Sequence, residues 1–148
     1  MAPFELSETE KAYLAGLFDG EGTIGYYFKT ALRYHLAQLA IYNCDPKVMT
    51  WLKNRVSIGK VYLSKGKNAN YKGWQWQLNS KSQIIEFLSN IRPYLIIKAD
   101  QVDLLFSLWI AEQKIRSKHK LSQDIIDLRN MTMRELKQLK TASYVATH

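Results

Sequence analysis

Apolar residues along this chain follow two periods, and the points where the period changes mark out the elements. Ser7 and Glu10 form a Ser-x-x-Glu capping box ahead of Leu14, Leu17 and Phe18, which predicts a helix from about Glu8 to Asp19. Period-2 stretches rich in aromatic and branched residues follow at Thr23–Lys29 and Tyr34–Tyr42. Asp45-Pro46 then reads as an N-cap and first helical position, and opens a helix carrying Val48, Trp51, Leu52 and Val56. Gly59–Ser64 and Tyr71–Asn79 read as a second strand pair, joined by the polar stretch Lys65-Gly66-Lys67-Asn68-Ala69-Asn70. Ile84, Ile85, Leu88 and Ile91 recur at helical spacing over Lys81–Ile91, and Pro93 ends that run. A long apolar helix over about Ala99–Ile115 comes next, then two short helical segments near Ser122–Leu128 and Thr132–Leu139. The order is αββαββα with a helical tail. Two antiparallel strand pairs with helices on one face make an α+β fold.

The 148 residues, 47% of them hydrophobic and 23% charged, suit a single globular domain, with a core over about residues 7–116 and a tail over about 117–148. Cys44 is the only cysteine, so an internal disulfide and a cysteine-based zinc site are both ruled out, and a reducing intracellular compartment fits. No apolar run approaches the roughly 20 residues that span a bilayer, and Met-Ala-Pro-Phe-Glu does not begin a signal peptide, so no membrane partner is expected.

Charge changes the picture. The net charge is +8, and its distribution is uneven. From Thr23 to Lys81 the basic residues are Lys29, Arg33, Lys47, Lys53, Arg55, Lys60, Lys65, Lys67, Lys72 and Lys81, against Asp45 as the single acid. Charge that served only solubility would mix the two signs. A basic strand region beside a near-neutral remainder is the footprint of a polyanion binder. In the second pair, Trp74, Trp76 and Leu78 alternate with Gln75, Gln77 and Asn79, while Val61 and Leu63 alternate with Lys60, Tyr62 and Ser64. The expectation is an apolar core face and an outer face of amide, hydroxyl and ammonium groups. Such a face suits solvent, and it also suits base edges and phosphates.

The most informative segment is Leu14-Ala15-Gly16-Leu17-Phe18-Asp19-Gly20-Glu21-Gly22, at the junction of the first helix and first strand. Ala12, Gly16 and Gly20 lie four apart and line one helix face with small groups, which lets two helix backbones approach closely. Two such helices packed about a two-fold axis would bring both Glu21 carboxylates to the same end. The segment resembles the signature of the LAGLIDADG homing endonucleases. It occurs once, as in the single-motif, homodimeric members.

That resemblance implies a saddle-shaped four-stranded antiparallel sheet lying in the major groove of a long, near-palindromic DNA duplex. It implies phosphodiester hydrolysis leaving 3′ overhangs, with Mg²⁺ held by Glu21 and the Gly20 carbonyl from both subunits. Mn²⁺ is expected to substitute, and Ca²⁺ to bind without turnover. Catalytic roles fall on Glu21, on Asp45 as a residue ordering the attacking water, and on Lys98, which follows Pro93-Tyr-Leu-Ile-Ile. Asp45 also reads as a plain N-cap, and the two roles are compatible. Ala12, Gly16, Asp19 and Gly20 are expected at the dimer interface, Asp19 in a structural role. The expected DNA contacts are Tyr27, Lys29, Arg33, Gln38, Tyr42, Lys60, Tyr62, Ser64, Lys65, Lys67, Lys72, Gln75, Gln77 and Asn79. The apolar Leu36 and Ala40 share that face and would meet thymine methyls or leave bases unread. A basic residue common in the second helix of the family has no counterpart, because Met49 occupies the matching position, so that role is absent or moves to Lys47 or Lys53. His35 reads as structural. An organelle or bacterial cytoplasm is the implied location. Two rivals remain: a catalytically idle relative acting on intron RNA as a maturase or on DNA as a regulator, and a basic module that stacks single-stranded bases on aromatic side chains.

Overall fold

The computed structural model describes residues 4–65, 72–116 and 122–146. The elements are α1 (Glu8–Glu21), β1 (Gly22–Lys29), β2 (Tyr34–Asn43), α2 (Pro46–Arg55), β3 (Lys60–Lys65), β4 (Lys72–Leu78), α3 (Lys81–Ile91), a 3-10 turn (Arg92–Tyr94), α4 (Ala99–Arg116) and α5 (Gln123–Ala146). The order αββαββα and the α+β class stand as expected. The four strands form one sheet in the order β1-β2-β4-β3, and β4 pairs antiparallel with both β2 and β3. No helix among the described residues is long and apolar enough to cross a membrane.

The capping box at the start of α1 is complete: Glu10 N–H donates to Ser7 Oγ, and Ser7 N–H donates to Glu10 Oε1, each at 3.2 Å. Asp45 caps α2, its Oδ1 accepting Lys47 N–H at 2.9 Å. Helix α1 runs two residues past the expected end, so Glu21 is its last residue. The chain turns sharply there, from Gly22 with φ −86° and ψ 158°, whose N–H still donates to Phe18 O. A Cβ at Gly22 would lie 2.3 Å from Phe18 Cδ2, so only glycine fits this corner.

The tail also departs from expectation. One 24-residue helix, α5, replaces two short segments. The break expected between Leu128 and Thr132 does not form, and Thr132 Oγ1 donates to Leu128 O at 2.9 Å across it.

The chain divides into two compact units, Met1–Gly25 with Leu36–Ile96, and Tyr26–His35 with Ile97–His148. In the first, Leu14, Phe18, Leu39, Ile41, Leu52, Trp76, Leu78, Ile84, Phe87, Leu88 and Ile91 are essentially inaccessible, so α1, α2 and α3 cover one face of the strands. Phe87 meets Phe18 edge-on at 5.6 Å and Trp76 at 5.0 Å. Trp76 Nε1 donates to Ile58 O at 2.9 Å, which satisfies the one polar group this side chain buries. In the second unit, Val102, Leu105, Leu108, Ile125 and Leu136 of α4 and α5 form the apolar core.

Two expectations about the strands are corrected. Val61 and Leu63 do pair with Trp76 and Trp74, on the apolar side. They are nonetheless 37% and 55% exposed, because β3 is the edge strand and α2 lies over β4. Ala40, on the polar side opposite Gln77, is only 8% exposed and offers little methyl surface to a ligand; Leu36 is half-buried.

Candidate nucleic-acid interface and acidic corner

The polar face is built by strand alternation. Cross-strand register places Lys60, Gln77 and Ala40 in one row and Tyr62, Gln75 and Tyr42 in the next. Tyr62 is 46% exposed and Lys60 is exposed; Gln75, Gln77 and Tyr42 are half-exposed. Gly73 makes room for Tyr42, since a Cβ there would lie 2.3 Å from the phenol oxygen. At the other end of the face, Gln38 Nε2 donates to Asn79 Oδ1 at 2.8 Å, which locks two amides in one orientation. A cleft of about 370 Å³ opens beside this row, lined by Lys60, Tyr62, Gln77, Asn79, Ser80 and Gln83 among others. Hydroxyl, amide and ammonium groups at half exposure are suited to hydrogen bonding with base edges and phosphate oxygens.

The remaining candidates divide. Ser64 pairs with Gly73 on the polar side. Lys65 pairs with Lys72, and alternation puts Lys72 on the register side of Trp74 and Trp76, opposite Gln75. Lys67 lies outside the described residues. In the second unit, Tyr27 is half-exposed and Lys29 and Arg33 are exposed around the β1–β2 turn. The turn is held by Leu32 N–H to Lys29 O at 3.1 Å and Arg33 N–H to Thr30 O at 3.3 Å, with Arg33 in the left-handed region at φ 53°.

The acidic corner lies at the C-terminal end of α1. Its last turn holds Asp19 and Glu21 and no basic residue. Free carbonyls make this the negative end of the helix dipole, where carboxylates are unfavourable and a cation is favoured. Glu21 is exposed. Asp19 Oδ2 accepts Ile96 N–H at 2.8 Å. Oxygen donors from a carboxylate and a helix-end carbonyl, Glu21 and Gly20, match the preference of a hard divalent cation. Among the described residues no three histidine, cysteine, aspartate or glutamate side chains cluster closely enough to hold a metal by themselves.

Gly16 and Gly20 stand apart from Gly22. A Cβ on either would meet nothing within 4 Å, and Ala12, Gly16 and Gly20 are all exposed. Glycine inside a helix costs about 1 kcal/mol relative to alanine. Nothing within the described chain repays that cost at these two positions.

Asp45 is exposed at the start of α2. Lys98 is half-exposed one residue before α4. On α2, Met49 is buried, and Lys47 and Lys53 are exposed.

Three solved structures share this architecture. The homing endonuclease I-CvuI, in complex with its target in the presence of Ca, aligns at TM-score 0.68 and 15% identity, over 89% of this chain and 82% of that one. The archaeal intron-encoded homing endonuclease I-Vdi141I, complexed with DNA, aligns at 0.69 and 15% identity, over 89% and 84%. The LAGLIDADG meganuclease I-AabMI, bound to uncleaved DNA, aligns at 0.66 and 18% identity, over 83% of this chain and 43% of that one. The fold is that of the LAGLIDADG homing endonucleases. The chain spans most of the length of the first two and under half of the third. No protein-family model matches the sequence, and comparison with curated proteins gives no match.

Within this LAGLIDADG fold, several contacts had no sequence signal. Arg55 grips Glu10 with two bonds, Nε to Oε2 at 2.5 Å and a second nitrogen to Oε1 at 2.7 Å. The guanidinium holds the Glu10 carboxyl at about 2, well below the usual carboxylate range. Tyr94 donates to Glu8, which lowers the Glu8 pKa. Glu112 of α4 and Arg129 of α5 form an ion pair at 2.5 Å with side chains only 4% and 10% exposed. Each of these pairs joins residues distant in sequence, so spacing could not announce it.

Proposed function

We propose that this chain is a site-specific double-strand DNA endonuclease, a homing enzyme that acts as a homodimer and hydrolyses phosphodiesters with divalent metal. The observation that carries the reading is the pairing of an exposed Glu21 at the end of α1 with the open glycine positions Gly16 and Gly20 on the same helix. Glycines whose added Cβ would meet nothing within 4 Å among the described residues suit a second copy of α1 laid against them, and that packing would bring two Glu21 side chains together. The structural neighbours are DNA complexes of homing endonucleases, and two of them are chains of about this length. The whole chain would act as one endonuclease domain, with α5 as its tail.

In the dimer, Glu21 and the Gly20 carbonyl of each subunit would hold Mg²⁺, with Mn²⁺ a working substitute and Ca²⁺ an inert one. Bound metal would activate water and neutralise charge on the transition state. Asp45 keeps Oδ1 on the Lys47 amide and would turn Oδ2 to the attacking water. The Lys98 ammonium would stabilise charge developing on the phosphate. Gln38, Tyr42, Lys60, Tyr62, Gln75, Gln77 and Asn79 would read a long, near-palindromic duplex, with Tyr27, Lys29 and Arg33 contacting it around the β1–β2 turn. Cleavage would leave 3′ overhangs.

The test is cleavage selection from a randomised duplex library with Mg²⁺, beside Glu21→Gln and an EDTA control. A long two-fold-related site cut only by the wild-type protein is the expected result. Specific duplex binding with no cutting would overturn the nuclease reading in favour of a regulator or, with RNA, a maturase.

A further inference from the structure

The second unit joins segments far apart in sequence, the hairpin end Tyr26–His35 and the helices α4 and α5. His35 stands where they meet. Its ring stacks on Tyr26 with centroids 5.7 Å apart and planes 21° from parallel, and lies 5.1 Å from Phe28. Its Nε2 is 3.1 Å from Oδ1 of Asn130 on α5, so the Nε2–H tautomer donates to the amide oxygen across 95 positions of sequence. Tyr26 is buried, which raises its phenol pKa, and it lies within the fields of Glu112 and Arg129.

The rest of the hairpin end is poorly anchored. Phe28, Leu32 and Tyr34 are 45%, 51% and 45% exposed, so they contribute little burial. A two-stranded ribbon is marginal by itself. The turn is nevertheless internally fixed by its two backbone bonds and the left-handed Arg33. The His35–Asn130 hydrogen bond then joins this internally fixed turn to α5.

A single exposed hydrogen bond between side chains adds little to folding. Its direction is what it supplies. We propose that His35 and Asn130 are positioning residues for DNA reading. Together they fix the angle at which the β1–β2 turn, with Lys29 and Arg33, meets the duplex, and so set base preference at the base pairs under that turn. The proposal rests on the DNA-endonuclease reading above and gives α5 a role in specificity without any contact of its own to DNA. Eight strand residues separate Glu21 from the turn along the chain. The affected base pairs are therefore away from the scissile phosphates.

The experiment profiles cleavage by the full-length protein on the cognate duplex and on every single-base substitution of it. Discrimination per base pair is ordinarily about five- to one-hundred-fold. For Asn130→Ala the expected result is a drop to roughly two-fold at a confined set of outer positions. Inner positions and kcat on the cognate site stay within about three-fold. Asn130→Asp, which keeps an acceptor for Nε2–H, restores the profile, and His35→Phe, which keeps the ring stack, reproduces the loss. Amide hydrogen exchange of the free protein gives a readout that needs no DNA: residues 28–34 exchange faster in Asn130→Ala, while the α1 and α3 amides do not. An unchanged base profile in folded Asn130→Ala, a loss spread evenly over all positions, or failure of Asn130→Asp to rescue would each overturn the proposal. A wild-type protein that neither binds nor cuts any duplex would overturn the endonuclease reading and this proposal with it.

Discussion

Asp19 Oδ2 accepts the backbone N–H of Ile96 at 2.8 Å, across 77 positions of sequence. The bond ties the acidic corner at the end of α1 to the segment that leads into Lys98. Asp19 thereby has a backbone partner of its own, two residues before Glu21. Replacing it with alanine removes the acceptor, and the expected cost is about 1 kcal/mol, since the bond is solvent-exposed. Single-turnover cleavage is expected to fall about ten-fold, because Lys98 follows two residues after the released amide. Asp19→Asn retains an acceptor oxygen and should lose less of both. Thermal melts beside single-turnover cleavage check this.

Gly16→Leu and Gly22→Ala should behave in opposite ways. Space around Gly16 is open in the chain, so Gly16→Leu should leave the protomer folded, with its melting temperature equal or higher, while abolishing the dimer. Gly22→Ala drives a methyl into Phe18 and should destabilise the protomer by about 2 kcal/mol. Sedimentation separates the outcomes. A dimeric Gly16→Leu protein would show that the stripe is not the interface.

The Glu10–Arg55 pair predicts an acid-range signature. The folded Glu10 carboxyl titrates at about 2, below its ordinary 4.5. A depressed carboxyl adds stability that is fully present above pH 4.5 and is lost as pH falls toward 2. Glu10→Gln should therefore flatten the fall in melting temperature between those pH values while changing little at neutral pH. Added salt should shrink the difference, because the pair is exposed.

Gly59 carries φ +91°, and a Cβ there would lie 2.4 Å from Trp76 Nε1, the donor to Ile58 O. Gly59→Ala adds backbone strain to a displaced buried indole. The expected loss is about 2–3 kcal/mol, read by urea unfolding.

Binding should prefer duplex to single-stranded DNA and weaken with salt at a log–log slope of about −0.9 per phosphate contacted. Fluorescence anisotropy over a salt series measures this. A flat response would contradict the role given to the basic residues between Thr23 and Lys81.

Much of the fold was legible because its signals are local. The Ser7–Glu10 box, the Asp45-Pro46 helix start and the Trp74–Gln77 alternation act over two to four residues and formed as read. Misreadings arose where a neighbour in space decided the matter. Val61 and Leu63 have core-like side chains on a strand that turned out to be the edge. The two short helical segments expected around Leu128 and Thr132 are one continuous helix, α5.

The candidate site divides in the same way. The sequence by itself determined the helix–strand corner with Glu21 between two glycines, the small-residue stripe, the polar alternation of β4 and the skewed charge. Only the tertiary structure decided that Gly16 and Gly20 face open space while Gly22 is packed against Phe18, that Asp19 holds Ile96, and that Asn130 reaches His35. The physical reason is range. Periodicity, capping and turn chemistry are written in neighbouring residues, whereas a bond across 77 or 95 positions exists only after burial of apolar faces has brought the two ends together.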